Sequence, residues 1–74
     1  MDIEVRLFAT LREERGKKIY FEYEEGINTD RIIKLLKIKE EDVAILLING
    51  RDGDLKIELN EGDVVSIFPP VGGG

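Results

Sequence analysis

The chain contains no cysteine and no histidine among its 74 residues. Without cysteine there is no disulfide framework, no thiolate nucleophile and no zinc–thiolate site. Without histidine the commonest general base and metal ligand is missing. Outside tyrosine, the hydroxyl nucleophiles are limited to Thr10, Thr29 and Ser66. These shortages weigh against a self-sufficient hydrolase or metalloenzyme, so no bound cofactor and no metal site is expected. They favour a chain that is acted upon or that binds something. Long apolar runs are also lacking. The longest, Val43 to Ile48, is strand-sized and far short of the ~20 residues of a membrane span. Near the amino end Asp2, Glu4 and Arg6 interrupt any apolar stretch of the kind a signal peptide needs, and a cytoplasmic location is expected. Positive charge is in deficit, with 11 basic residues against 16 acidic ones and a net charge of -5. That balance disfavours nucleic acid and anionic membranes as partners. It suits a basic surface on a protein partner, or serves only solubility.

What is present is the balance of a folded domain: 42% hydrophobic and 36% charged residues. A chain of this length buries only about 60% of the surface it exposes when unfolded, so it is near the lower limit for folding alone. Ile3, Val5 and Leu7 alternate with Glu4 and Arg6, the pattern of a half-buried strand. Phe8 falls on the opposite side from that apolar face. After a turn at Gly16-Lys17, Ile19, Phe21 and Tyr23 alternate in the same way. The two segments are expected to form an antiparallel hairpin, with Leu11 to Arg15 as a loop or short helical turn inside it. Asn28 or Thr29 can cap a helix over Thr29 to Lys37. If Asn28 is the cap, Ile27 and Ile32 occupy the hydrophobic-staple positions. Ile32, Ile33, Leu35 and Leu36 supply the helix's apolar stripe.

Val43 to Ile48 suits a central strand covered on both faces, or partly by a partner. Asn49-Gly50 and Asp52-Gly53 are turn signals. Leu55, Ile57 and Leu59 suggest a short fourth strand or an extended segment, and Val64 to Phe68 the last strand, stopped by Pro69-Pro70. One helix across a mixed sheet of about four to five strands is the economical two-layer arrangement for this order. That is an α+β, β-grasp (ubiquitin-like) fold, in which the first and last strands lie parallel at the sheet centre. Residues 1–70 form the expected domain and residues 71–74 a flexible glycine-rich tail.

The carboxyl end, Phe68-Pro69-Pro70-Val71-Gly72-Gly73-Gly74, is the most unusual feature. Two prolines stiffen the exit from the last strand. A tip without side chains can thread a narrow tunnel and let enzyme atoms approach its backbone. A frayed end or a vector remnant could also carry glycines. If the tail is functional, its reactive group is the α-carboxylate of Gly74. With a reference pKa of ~3.3–3.7 it is ionised at neutral pH and is a poor electrophile. Conversion to an acyl-adenylate with ATP, on another enzyme, would let sulfur or a lysine amine displace AMP.

Three segments carry a family resemblance. Val5-Arg6-Leu7-Phe8-Ala9-Thr10-Leu11-Arg12-Glu13 resembles the opening of the small, sulfur-carrying subunit of molybdopterin synthase, a relative of the thiamin sulfur carriers. Leu47-Ile48-Asn49-Gly50-Arg51 resembles its central strand and turn. Gly62-Asp63-Val64-Val65-Ser66-Ile67-Phe68-Pro69-Pro70-Val71, followed by Gly73-Gly74, is similar to its closing signature. The resemblance implies a cycle. A ubiquitin-activating-type adenylyltransferase would consume ATP to adenylate Gly74. A sulfurtransferase or persulfide donor would convert it to a thiocarboxylate. The tail, Val71 to Gly74, would then enter the large subunit of molybdopterin synthase in a heterotetramer. The large subunit would supply the catalytic residues that use the sulfur to build the pterin's dithiolene. The resemblance also implies partner contacts for Phe8, Arg12 and Phe68, with Pro69 and Pro70 forming the neck. Read from the residues alone, Phe8 could instead pack under a local loop, Phe68 could be buried in a central strand, and Arg12 could make a surface ion pair worth only ~0–1 kcal/mol. A ubiquitin-like modifier joined to lysines through Gly74, and a carrier for thiamin or transfer-RNA thiolation, are the alternative functions.

Overall fold

The computed structural model of the chain describes residues 2–70. Its elements run β1 (Asp2–Leu7), a 3-10 turn (Ala9–Arg12), β2 (Lys18–Glu22), α1 (Thr29–Leu35), a second 3-10 turn (Glu40–Asp42), β3 (Ile45–Ile48), β4 (Arg51–Asp52) and β5 (Val64–Phe68). The five strands form one mixed sheet in the order β2-β1-β5-β3-β4. β1 and β2 make the expected antiparallel hairpin, with Val5 opposite Ile19. β1 and β5 run parallel, with Leu7 opposite Ile67, so the chain's first and last strands do lie side by side within the sheet. β3 joins β5 from the other side, antiparallel, with Ile45 opposite Phe68. The arrangement is the β-grasp one.

Period-two patterning explains which residues enter the core. Ile3, Val5 and Leu7 of β1, Val65 and Ile67 of β5, and Leu46 of β3 point to one face and are buried. Ile32 and Ile33 of α1 pack on them in one cluster, closed at its ends by Leu11, Ile27, Ile38 and Leu59. Fully burying each such side chain contributes about 1.5–3 kcal/mol.

The helix is held at both ends by local chemistry. The Asn28 side chain accepts from the Arg31 N–H at 2.9 Å, and Ile27 and Ile32 are both buried beside it, as the cap and staple require. At the far end the Ile38 N–H donates to the Ile33 carbonyl at 2.8 Å and the Lys37 N–H to the Lys34 carbonyl at 3.1 Å. This is a Schellman closure, with Lys37 in the left-handed region at φ 61° where glycine is usual. The helix therefore ends at Leu35, short of the expected Lys37. Arg15 completes the end from a distance: its Nε donates to the Leu36 carbonyl at 3.0 Å and Nη2 to that of Lys37 at 3.2 Å. Leu35, expected in the apolar stripe, is exposed. A helix of two turns offers only Ile32 and Ile33 to the sheet.

Two other expectations are corrected. The fourth strand is not Leu55 to Leu59 but Arg51–Asp52, hairpinned to β3 through Asn49-Gly50. Both turn residues have positive φ, 54° and 81°, as a two-residue type I′ turn demands. Gly53 then lets the chain cross Ile48 closely, since a Cβ there would lie 2.6 Å from Ile48 Cδ1. In the segment expected as a strand, the Asp54 side chain accepts from the Lys56 N–H at 2.8 Å, and the Ile57 N–H donates to the Asp54 carbonyl at 3.2 Å. Those bonds make a turn, and only Glu58 bridges to Asn28. Nor is the Val43–Ile48 run covered on both faces. Leu46 is buried, but Ile45, pointing the other way, is 51% exposed. α1 covers one side of the sheet and leaves the outer side open.

Candidate functional site

The outer side of the sheet carries the residues singled out in the sequence. Phe8 follows β1 in extended conformation, φ -126° and ψ 153°. Because Leu7 pairs with Ile67 in the parallel ladder, the next residues on each strand, Phe8 and Phe68, become neighbours on the outer side. Their rings stack with centroids 4.2 Å apart and planes 8° from parallel. Phe8 is half-buried and outside the core, though it does lie under Arg12 of the local turn that follows it, and Phe68, though on a central strand, faces outward and is half-buried.

Ala9, at φ 52°, turns the chain sharply into the 3-10 turn. That turn brings Arg12 back over Phe8. The Arg12 Nε donates to the Leu7 carbonyl at 2.8 Å, and its guanidinium carbon lies 5.3 Å from the centre of the Phe8 ring, a cation–π geometry. Arg12 is thus held by a backbone carbonyl and an aromatic face. Ile45, opposite Phe68 in the β3–β5 ladder, extends the apolar surface on the other side. The Ala44 N–H donates to the Phe68 carbonyl at 2.8 Å, which fixes the last residue of β5 before the neck. Phe8, Ala9, Thr10, Ile45, Phe68, Pro69 and Pro70 together line an apolar groove of about 490 Å³. Phe8, Arg12, Phe68, Pro69 and Pro70 are therefore brought into one place. Val71, Gly72, Gly73 and Gly74 lie outside the described residues. Ile45 was missed as a site residue; its odd-numbered place in an apolar run beside buried Leu46 was the signal available.

The charge near this groove differs from the chain's overall balance. Arg6, Arg12, Lys17 and Lys18 flank Phe8 around a neighbouring depression, while Glu40, Glu41 and Asp42 form the second 3-10 turn beyond the neck. Arg6 is ion-paired with Glu4. That hydrogen bond, with help from Lys18 and the Tyr20 hydroxyl, holds the Glu4 carboxyl below the usual carboxylate range. Among the described residues no group of three or more acidic side chains is placed to hold a metal ion. Of the three hydroxyls, Thr29 is buried at the start of α1, Ser66 is half-buried on β5, and Thr10 lies on the groove. No helix among the described residues is long and apolar enough to cross a membrane.

A family model described as the ThiS family matches residues 5–74. The chain is 33% identical to small archaeal modifier protein 3 of Haloferax volcanii, with both chains covered in full. Among solved structures it is similar to a putative molybdopterin converting factor subunit 1 from Pyrococcus furiosus. That match has 30% identity and a TM-score of 0.75, covering 96% of this chain and 99% of that one. It is also similar, at 28% identity and TM-score 0.66 with both chains fully covered, to a chain in the complex of subunits 1 and 2 of the molybdopterin-converting factor from Helicobacter pylori.

Proposed function

Because this chain belongs to the ThiS family, a group of ubiquitin-like small modifiers and sulfur carriers, we propose that its working group is the α-carboxylate of Gly74 and that it carries sulfur for molybdopterin synthesis. The carboxylate oxygen attacks the α-phosphorus of ATP on a ubiquitin-activating-type adenylyltransferase, and pyrophosphate leaves. A persulfide sulfur, from a sulfurtransferase or comparable donor, then attacks the acyl carbon and AMP leaves. Reduction of the resulting acyl disulfide by a thiol gives the thiocarboxylate. The large subunit of a molybdopterin synthase receives the tail and provides the residues that move sulfur onto the pterin. This chain provides the acyl group, its reach and its docking surface. Residues 1–70 form the domain and residues 71–74 the tail that threads the partner's site.

The observation that carries this reading is the Phe8–Phe68 stack at the root of the tail, with Arg12 above it and Ile45, Pro69 and Pro70 around it. A half-buried aromatic pair beside exposed Ile45 in an apolar groove, flanked by charge, has the composition of an interface anchor. It also lies where any enzyme gripping the tail must touch the domain. The molybdopterin branch draws support from the similar Pyrococcus and Helicobacter chains, the second of which is in a complex with its subunit 2.

A second reading draws support from the similar Haloferax modifier. In it the same acyl-adenylate is passed on to a lysine amine, giving an isopeptide bond. A carrier role in thiamin or transfer-RNA thiolation differs only in the final acceptor. The experiment that separates them supplies the thiocarboxylated chain to a molybdopterin-synthase large subunit and the precursor pterin, and measures dithiolene product. Turnover of about one acyl group per sulfur delivered supports the molybdopterin role. No product, together with lysine-linked remnants of Gly73-Gly74 in cell extracts, would replace it with the modifier role.

A further inference from the structure

β2 is an edge strand: among the described residues it has β1 on one side and no strand on the other, and only its Lys18 end approaches the depression beside Phe8. The Leu7 N–H donates to the Lys17 carbonyl at 2.9 Å. By the alternation of an antiparallel ladder, Lys17, Ile19 and Phe21 turn their backbone groups toward β1, and Lys18, Tyr20 and Glu22 turn theirs toward the open edge. The side chains of these last three residues share the outer face, with Tyr20 58% exposed. The register of β1 against β2 puts like charges opposite one another at both ends: Asp2 faces Glu22, and Arg6 faces Lys18. Like charges in directly opposed positions destabilise a sheet. Within the chain this conflict is only partly relieved. Arg6 has Glu4, whose carboxylate also attracts Lys18, whereas Glu22 and Asp2 have no ion-pair partner among the described residues.

We propose that β2 pairs with β2 of a second copy of this chain, antiparallel, about a two-fold axis at Tyr20. Lys18 of one copy then lies opposite Glu22 of the other, and Tyr20 opposite Tyr20. The residues that meet are the three whose N–H and C=O groups face the open edge, so each donor on either copy finds a carbonyl. Each outer row reads Asp2, Glu22, then Lys18 and Arg6 of the second copy. Two negative charges meet two positive ones, and both like-charge conflicts are relieved at once. The middle row adds an aromatic cross-strand pair. Edge strands commonly discourage such pairing with charge of one sign. Here the charges have opposite signs at the two ends, so the strand is complementary to itself. β2 is separated from β5 by β1, so the pairing leaves Phe68 and the neck of each copy open, whatever the tail's acyl group is used for.

Sedimentation analysis of the full chain from micromolar to millimolar concentration tests this, using wild type, Glu22→Lys and Lys18→Glu. The wild type is expected to pass from monomer to dimer. Each substitution puts like charges at two symmetry-related contacts and is expected to weaken the dimer by about tenfold or more. An equimolar mixture of the two variants restores opposite charges at both contacts and is expected to associate as the wild type does. Glu22→Lys also removes a like-charge pair inside the monomer, so its melting temperature should not fall and its lost association cannot be ascribed to unfolding; Lys18→Glu gives up the attraction of Lys18 for Glu4, and recovery of association in the mixture is its control for folding. Amide shifts that move with concentration should map to residues 18–22. A wild type that stays monomeric throughout, variants that dimerise unchanged, a mixture that fails to associate, or shifts centred on Phe8 and Phe68 would each overturn the proposal.

Discussion

Replacing Phe8 by alanine removes a ring that stacks on Phe68 at 4.2 Å and carries the Arg12 guanidinium above its face. The stack is worth about 0.5–1.5 kcal/mol and the cation–π contact about 0.5–1 kcal/mol at an exposed site. Neither ring belongs to the buried cluster. The expected loss for Phe8→Ala is therefore about 1–2.5 kcal/mol, toward the low end of the 2–5 kcal/mol or so of a core truncation such as Ile67→Ala. Urea denaturation of Phe8→Ala, Phe68→Ala and the double variant isolates the ring–ring coupling, expected at about 0.5–1.5 kcal/mol with unchanged m-values. The same variants are expected to lose more in partner recognition than in stability. Truncating an interface anchor costs about 2 kcal/mol or more, roughly thirtyfold in the activating enzyme's kcat/KM. Zero coupling would mean that the rings do not meet. A stability loss above about 4 kcal/mol would make Phe8 a core residue, and an unchanged kcat/KM would remove the groove from the docking surface.

Further consequences follow from local geometry. Lys37 holds a left-handed conformation at φ 61°, so Lys37→Gly is expected to raise stability by about 0.5–1 kcal/mol, or several degrees in Tm, by thermal denaturation. Asn49 joins three elements: its Nδ2 donates to Asp63 Oδ1 at 2.9 Å, its Oδ1 accepts from the Val64 N–H at 2.9 Å, and its φ is positive. Asn49→Ala should therefore cost about 2–3 kcal/mol in urea denaturation. Asp30, almost buried, accepts from Lys34 at 3.0 Å and Lys56 at 3.3 Å, and these bonds, Lys34's first, hold its carboxyl below the ordinary value of 3.8. As pH falls the unfolded chain takes up this proton before the folded one does. The Asp30 contribution is thus present above the unfolded value and is lost as pH falls through the lower, folded one. Acid titration of Asp30→Asn should show a shallower loss of stability below about pH 4 than wild type.

Much of the fold was legible because it rests on short-range patterns. Alternation gave β1 and β2, Asn28 gave the start of α1, and Asn49-Gly50 gave the turn before β4. The site was legible for a related reason: Phe8 sits out of phase with Ile3, Val5 and Leu7. Its meeting with Phe68 follows once β1 and β5 are parallel and in register. What was misread shows where local pattern fails. Leu55 and Leu59 do turn toward the core, but Ile57 between them is 49% exposed and the segment is bent by Asp54. A turn that places two leucines inward looks like an alternating strand. The true β4 is two charged residues, Arg51 and Asp52, too short to leave a pattern. The closure of α1 by Lys37 lacked the glycine that normally announces it. The reach of Arg15 to the Leu36 and Lys37 carbonyls spans more than twenty positions, and only the folded chain reveals it. Ile45 was hidden inside a run that reads as apolar on both sides.

The central claim concerns one functional group, and intact-mass measurement addresses it directly. The full chain is incubated with a cognate adenylyltransferase, ATP and a sulfur donor. Replacing one carboxylate oxygen by sulfur should add about 16 Da, dependent on ATP and absent when Gly74 is deleted. No mass shift under conditions that sulfurate an established carrier, or a shift that persists after Gly74 is removed, would contradict the account.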